Sequence, residues 1–302
     1  MELHLAPLEN VSCFAFRSLC RGQTDSYTGM LSLSNLVKRN NVWKEVDTFP
    51  IEGQRQWIQV ATSKEAECSA FLVRLEEELK AFPEKDNAYG IQLNVSCPSP
   101  SLIRIGQGPA LIKRATKVVN LLGELMKGRF KVSLKVRLGL NNFEMRQRKL
   151  VSLFAQLEKI THPNFAGVTV HFKHAQQKSA DAYDYSMIKE LSKFNVPMIV
   201  NGGVNSYADF LKIVNGINTK NIKGFMVGRA AMENPDAIAL MRKEMDGTAF
   251  AARSPAEMKS EFEALCKLHA PNQSYSDKIK KYCSWARGNE PIAEYTPKGF
   301  YG

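Results

Sequence analysis

Cys97 stands just past a short alternating run, Ile91, Leu93 and Val95, within Gly90-Ile-Gln-Leu-Asn-Val-Ser-Cys-Pro-Ser-Pro100. The alternation reads as a strand, and Pro98 and Pro100 stop its ladder and stiffen the backbone. A thiol is thereby held on a rigid loop at a strand end, which in an α/β barrel is the catalytic face. Further along, Lys131-Val-Ser-Leu-Lys-Val-Arg137 alternates so that Lys131, Ser133, Lys135 and Arg137 share one face. Cations turned into a barrel are costly unless they meet an anionic or polar ligand. His171 closes another run, Gly167-Val-Thr-Val-His171, where a barrel places ligand-facing side chains. Two more runs end in glycine, at Asn201-Gly202-Gly203 and at Gly228-Arg229. Barrels bind phosphate with the loops after strands seven and eight. Glycine lets backbone amides approach an anion there, and Arg229 adds a charged donor. This spacing predicts a phosphate-bearing cofactor.

The elements that position these groups alternate regularly. Strands are expected over 2–6, 25–31, 56–60, 90–97, 131–137, 167–171, 196–200 and 224–227. Helices are expected over 14–20, 64–81, 109–126, 143–160 and 185–194, the second opened by a capping box at Thr62-Ser-Lys-Glu65. A polar, hairpin-like connection is expected over 38–53. Strand–helix alternation at this spacing indicates a parallel sheet, and eight units suggest closure. The fold expected is α/β, a (β/α)8 TIM barrel over 1–246, followed by a small helical C-terminal domain over 247–302. In that domain one helix starts at Ser254-Pro-Ala-Glu257, Pro271-Asn272 breaks it, and a second over 275–287 bears Lys278, Lys280, Lys281, Trp285 and Arg287.

Composition narrows the function classes. The chain has 302 residues with 44% hydrophobic content, enough for one large core. Its apolar runs fall short of the ~18 residues that span a membrane, and its start lacks a secretory pattern. A soluble cytoplasmic monomer is the expectation. None of the six cysteines forms a C-x-x-C pair or has a histidine at zinc spacing, so neither a disulfide framework nor a structural metal is expected. The net charge is +11, which suggests an anionic partner, nucleic acid first. Between Leu111 and Lys149, eleven basic residues face two acidic ones.

In order along the chain, these motifs resemble those of the flavin-dependent tRNA-dihydrouridine synthases. Leu5-Ala-Pro-Leu8 with Phe16-Arg17 resembles the family's opening, and Asn94-Val-Ser-Cys-Pro-Ser-Pro100 its active-site loop. Ile105-Gly-Gln-Gly-Pro-Ala-Leu111, Lys135-Val-Arg-Leu-Gly139, Val170-His171, Asn201-Gly-Gly203, Gly228-Arg-Ala230 and Lys281-Tyr-Cys-Ser-Trp285 complete the series. The resemblance implies reduction of specific uridines in tRNA with FMN and either NADPH or NADH. It implies Cys97 as general acid, and Asn94 and Arg137 on the uracil ring. Pro7, Gln59, Lys135, His171, Asn201, Gly202, Gly203, Gly228 and Arg229 would surround the FMN. The chain differs where the family has glycine before the cysteine, here Ser96. It differs again where the family has a Gly-Arg-rich segment after the histidine, here Phe172 to Ala180, which lacks the aromatic uracil contact expected near Ser179. Dihydroorotate dehydrogenases share the barrel, the FMN and a similar Asn-x-Ser-Cys-Pro segment, in which the cysteine acts as a base. A synthase for ribosomal RNA and a non-catalytic RNA-binding barrel are the other readings.

Overall fold

A computed structural model describes residues 1–269 and 273–287, the backbone alone at 273, 274 and 276. Among the described residues, eight parallel strands close into a barrel: β1 Glu2–Leu5, β2 Asp25–Tyr27, β3 Arg55–Ala61, β4 Ala88–Val95, β5 Lys131–Arg137, β6 Phe165–His171, β7 Met198–Asn201 and β8 Ile222–Val227. Each strand pairs with the next, and β8 returns to β1 with Leu5 opposite Val227. The strand expected over 25–31 is divided, because Leu31–Ser32 pairs separately on the edge of β3.

Alternation sorts the barrel's side chains. Ile58, Val60, Ile91, Leu93, Val132, Leu134, Val168 and Val170 are buried outward against the helices. A separate interior cluster holds Ala6, Tyr27, Trp57, Ile199 and Met226. Tyr27 and Trp57 stack at 5.8 Å and form an aromatic floor. Trp57 lies directly on Gly90, where a Cβ would meet its ring at 2.3 Å, so this strand position must be glycine. Above the floor, Gln59 donates to Gln92 at 2.8 Å and Gln92 to Ser133 at 3.3 Å, tying β3, β4 and β5 through the interior.

The helical segments are α1 Phe14–Leu19, α2 Leu33–Lys38, α3 Glu65–Ala81, α4 Pro100–Arg104, α5 Ala115–Leu125, α6 Asn142–Arg146, α7 Lys149–Leu157, α8 Ile188–Leu191, α9 Tyr207–Val214, α10 Arg229–Glu233, α11 Ala237–Asp246, α12 Pro255–Leu268, α13 Gln273–Tyr282 and α14 Ser284–Arg287. Several expectations are corrected. The helix over 109–126 begins as a 3-10 turn, Gly108–Lys113, before α5. The helix over 143–160 is broken by left-handed Arg148, φ 53°, into α6 and α7. That over 185–194 shrinks to α8. The capping box at Thr62 does not form: its hydroxyl accepts from the Lys64 amide at 3.0 Å and donates to Glu67 at 2.6 Å instead. The connection over 38–53 contains a 3-10 helix, Asn40–Glu45, rather than a hairpin, because Trp43 is buried there against Phe71 and donates to the Leu36 carbonyl.

α11 ends at Asp246, and Gly247 follows in the left-handed conformation. α12 opens with the expected capping box, Ser254 and Glu257. The apolar face of the tail does not stand apart from the barrel. Met258, Phe262, Ile279, Cys283 and Trp285 join the main core, and Trp285 donates to the Met232 carbonyl at 2.9 Å. The Pro271-Asn272 break and the stretch beyond 287 lie outside the described residues. Arg253 fastens the tail: its Nε donates to Asp236 at 2.9 Å and its Nη2 to the Leu19 carbonyl at 2.8 Å. Asp236 is fully buried. Arg253→Ala strands that carboxylate and is expected to cost about 3–5 kcal/mol in urea unfolding. A loss under ~1 kcal/mol would show that the pair does not fasten the tail. No helix among the described residues is long and apolar enough to cross a membrane.

Candidate active site

A cavity of about 700 Å³ opens at the carboxyl ends of the strands. Pro7, Gln59, Asn94, Cys97, Lys135, Arg137, His171, Asn201, Gly202, Gly203, Gly228 and Arg229 all line it, so the residues to which the resemblance gives a catalytic, cofactor or substrate role converge there, whereas Lys131 and Ser133 do not reach it. Strand register does the gathering. It sets Asn94 beside Lys135, Arg137 beside His171, and His171 beside Asn201.

The Cys97 loop is held from three sides. The Asn94 side-chain oxygen accepts from the Ser96 amide at 2.9 Å and the Cys97 amide at 2.8 Å, while its Nδ2 donates to Gln59 at 2.8 Å. Arg137 Nε donates to the Ser96 carbonyl at 2.7 Å. Left-handed Gly108, φ 56°, lets the following turn pass so close that a Cβ would lie 2.7 Å from the Cys97 carbonyl oxygen. Asn94 therefore spends its oxygen on the loop that carries the thiol. Burial, foremost, pushes the Cys97 thiol up from its ordinary value; the Ser99 amide, Arg137 and Lys135 act in the opposite direction. At neutral pH the group is a thiol, a proton donor rather than a base.

A second cluster centres on Asn201. Its Nδ2 donates to the Met226 carbonyl at 2.9 Å, which turns the oxygen toward Lys135 Nζ and His171 Nδ1, both at 2.9 Å. Because that oxygen accepts, Nδ1 of His171 carries the hydrogen and Nε2 is left with a lone pair. Burial, then Arg137 and Lys135, hold the His171 pKa well below its ordinary value, so the ring is neutral. Burial, then Arg137, lowers Lys135 to about 7. Among the described residues no carboxylate pairs with Lys135.

The glycine turns have φ of 101° at Gly202 and 72° at Gly203. A Cβ on Gly202 would lie 2.5 Å from Tyr183, and one on Gly203 2.3 Å from the Tyr185 hydroxyl. Both turns must therefore be glycine for packing as well as for access. Arg229 crosses to the same wall, donating to Ser179 Oγ at 3.1 Å and Tyr183 Oη at 2.8 Å.

Sequence reading missed part of the lining: Glu9, Met30, Lys173, Lys178, Ser179 and Tyr183. Lys173 is buried, donates to the Lys178 carbonyl at 3.0 Å and the Ser179 carbonyl at 2.7 Å, and lies 4.4 Å from the Tyr183 ring centre. It stitches the divergent segment after His171 into a wall. An aromatic does reach the cavity three residues beyond this segment, as Tyr183 rather than near Ser179. The continued alternation from His171 to Lys173 is the signal that could have found the lysine. At the opposite end of the barrel, ligand atoms of Glu2, His4 and Asp25 lie within 4.8 Å of one another. Arg55 already supplies their counter-charge, donating to Asp25 Oδ1 at 2.9 Å and to Glu2 at 2.6 Å.

The basic stretch is partly neutralised. Lys127 pairs with Glu124 at 2.7 Å, Arg129 with Glu76 at 2.9 Å and Asp86 at 2.6 Å, and Arg148 with Glu190.

Comparison with known proteins fits this arrangement. The chain resembles the Old Yellow Enzyme from Pichia sp. AKU4542 with a TM-score of 0.53, covering 98% of this chain and 92% of that one. At 11% identity the likeness concerns the barrel architecture alone. A probable tRNA-dihydrouridine synthase of Aquifex aeolicus (strain VF5) is 28% identical over 245 residues, 78% of this chain and 70% of that protein. A tRNA-dihydrouridine(47) synthase [NAD(P)(+)] of Meyerozyma guilliermondii is 27% identical over 256 residues, 76% of this chain but 40% of the longer fungal protein. The family model described as Dihydrouridine synthase (Dus) matches residues 4–295. That match spans the strands that gather Cys97, Lys135, His171 and Asn201, and with it this chain belongs to the dihydrouridine synthase family.

Proposed function

We propose that this chain reduces the carbon 5–carbon 6 double bond of uridine in tRNA, with FMN as cofactor and NADPH or NADH as the source of electrons. One observation carries the reading: a protonated thiol on a pinned loop faces the same cavity as a buried lysine that no carboxylate among the described residues partners. Lys135 is desolvated without an anionic partner among the described residues, which is costly unless a ligand supplies the charge. A cavity of this size suits a cofactor. The ring and phosphate of FMN fit the donors present: Lys135, Gln59 and Asn201 on one side, the amides around Gly203 and Gly228 with Arg229 on the other. Pro7 adds an apolar contact.

When bound and reduced, the flavin supplies a hydride to carbon 6 of the uracil. The chain's own residues do the rest. Cys97 delivers its proton to carbon 5 and recovers one from solvent. Arg137 stabilises negative charge developing on the uracil carbonyl, and the remaining Asn94 N–H is placed to help. Asn201 keeps Lys135 and the neutral His171 aimed at the cofactor. The raised thiol pKa favours this acid role over the base role of a dihydroorotate dehydrogenase. The target base must leave its stack, at a cost of a few kcal/mol. Phosphate contacts from the basic surface, and from a helical tail over 247–302 acting as an RNA-binding unit, offset it. The enzyme acts as a cytoplasmic monomer.

The test pairs an absorption spectrum of the purified protein with dihydrouridine mapping in RNA from cells with and without it. The expected result is a yellow protein whose loss leaves at least one tRNA uridine unreduced. A yellow protein with unchanged tRNA and ribosomal RNA would sink the reading and point to a small-molecule substrate.

A further inference from the structure

Resting on that reading, we propose that a groove between α5 and α7 is a landing site for the RNA backbone beside the target uridine, with Phe143 as a stacking surface for a neighbouring base. The groove, about 410 Å³, is lined by Lys113, Arg114, Lys117 and Lys149, together with the hydroxyls of Thr116 and Ser152. It contains no carboxylate in its lining. Lys117 is partnered by Glu65, and Lys113 lies 3.4 Å from the nearly buried Glu144. Among the described residues Arg114 and Lys149 have no carboxylate partner. The helices whose first turns open into the groove, α5 and α7, carry no acidic residue in those turns, unlike α3, α6 and α12.

Two further observations give the groove its ligand class. The first is apolar exposure in a charged setting. Phe143 is 63% exposed and Ile105 59% exposed. Phe143 adjoins the Glu144 that meets Lys113, and Ile105 adjoins the Gly106 whose carbonyl accepts from Arg114 at 3.4 Å. Cations interleaved with an exposed aromatic match a nucleic-acid strand, which offers phosphates and unstacked bases together. The second is continuity with the cavity. Gly108, in the turn leading to Lys113, packs against the Cys97 carbonyl. A strand whose target base enters over Cys97 therefore passes its adjacent phosphates across this band. Lys127, Arg129 and Arg148 from the same stretch are paired with carboxylates, as Lys113 and Lys117 are, which leaves Arg114 and Lys149 as the groove cations without one among the described residues.

The experiment measures binding of unmodified, in vitro transcribed tRNA to the flavin-loaded protein over a range of salt. Arg114→Ala/Lys149→Ala is expected to weaken binding about tenfold at physiological salt and to reduce the slope of log Kd against log salt by about 1.5. Phe143→Ala is expected to weaken binding about five- to tenfold with the slope unchanged, since stacking releases no counterions. Flavin content and melting temperature should match the wild type in both variants. Wild-type affinity and slope in both would overturn the inference while leaving the enzymatic reading intact. A wild-type protein that does not bind tRNA at all would overturn both.

Discussion

Cys97→Ala is expected to keep its flavin and lose its product, with dihydrouridine formation falling about 10²- to 10⁴-fold, the range for removing a positioned proton donor. The separation of effects follows from geometry. The thiol belongs to a loop pinned by Asn94 and Arg137, whereas the donors proposed for the flavin converge on Asn201. The loop's hydrogen bonds to Cys97 use its backbone, so alanine leaves them in place. The pH profile has a defined sign. A thiol raised above its ordinary 9.0 keeps its proton throughout the neutral range. Activity assigned to this group should hold to pH 9 and fall above it, where the acid form is lost. A Cys97→Ala enzyme with the wild-type rate would remove the thiol from the reaction.

Lys135→Met is expected to weaken FMN binding about 10- to 150-fold, equivalent to the ~1.5–3 kcal/mol of a hydrogen bond to a charged group. The lysine is buried, with a pKa lowered to about 7 by burial and then by Arg137. An anionic or electron-rich ligand favours the charged form, so binding takes up a proton when the amine starts neutral. Wild-type affinity should accordingly fall as pH rises from 7 toward 9, and in Lys135→Met this dependence should vanish. Without the cofactor the linkage runs the other way. Between about 7 and the ordinary 10.5 the unfolded chain binds a proton that the folded chain does not. Stability of the empty protein therefore rises with pH across that window. Fluorescence titrations of apoprotein with FMN at pH 6 and pH 9 read the binding effect directly. Equal affinities at both values in the wild type would show that Lys135 does not meet the cofactor.

The barrel and most of its chemistry were legible because period-two alternation carries both at once. The pattern that buries Val132, Leu134 and Val136 outward necessarily turns Ser133, Lys135 and Arg137 inward. Once the strands are placed, Cys97, His171 and Asn201 reach one rim without further information. What escaped the sequence is carried by side-chain-to-backbone contacts that leave no periodic trace. The resemblance puts Asn94 on the uracil; its oxygen also holds the loop through the amides two and three residues on, a use the resemblance does not signal. Tyr183 reaches the cavity because Lys173 ties carbonyls five and six residues ahead of it, a fold-back with no periodicity. Helix ends failed for a similar reason. Arg148 interrupts a continuous amphipathic pattern with a single left-handed residue, and no glycine marks the place. The surplus of charge in residues 111–149 was visible, but its local neutralisation by Glu76, Asp86 and Glu190 comes from other elements.

The stacked pair Tyr27 and Trp57, seated on Gly90, closes the inside of the barrel below the cavity. The reaction vessel is thus a cup rather than a tunnel. Whatever is consumed in it must arrive over the same rim by which its predecessor left. Entry and exit share one doorway, so the architecture imposes a sequence on its visitors: discharge of the first before admission of the next to the same place.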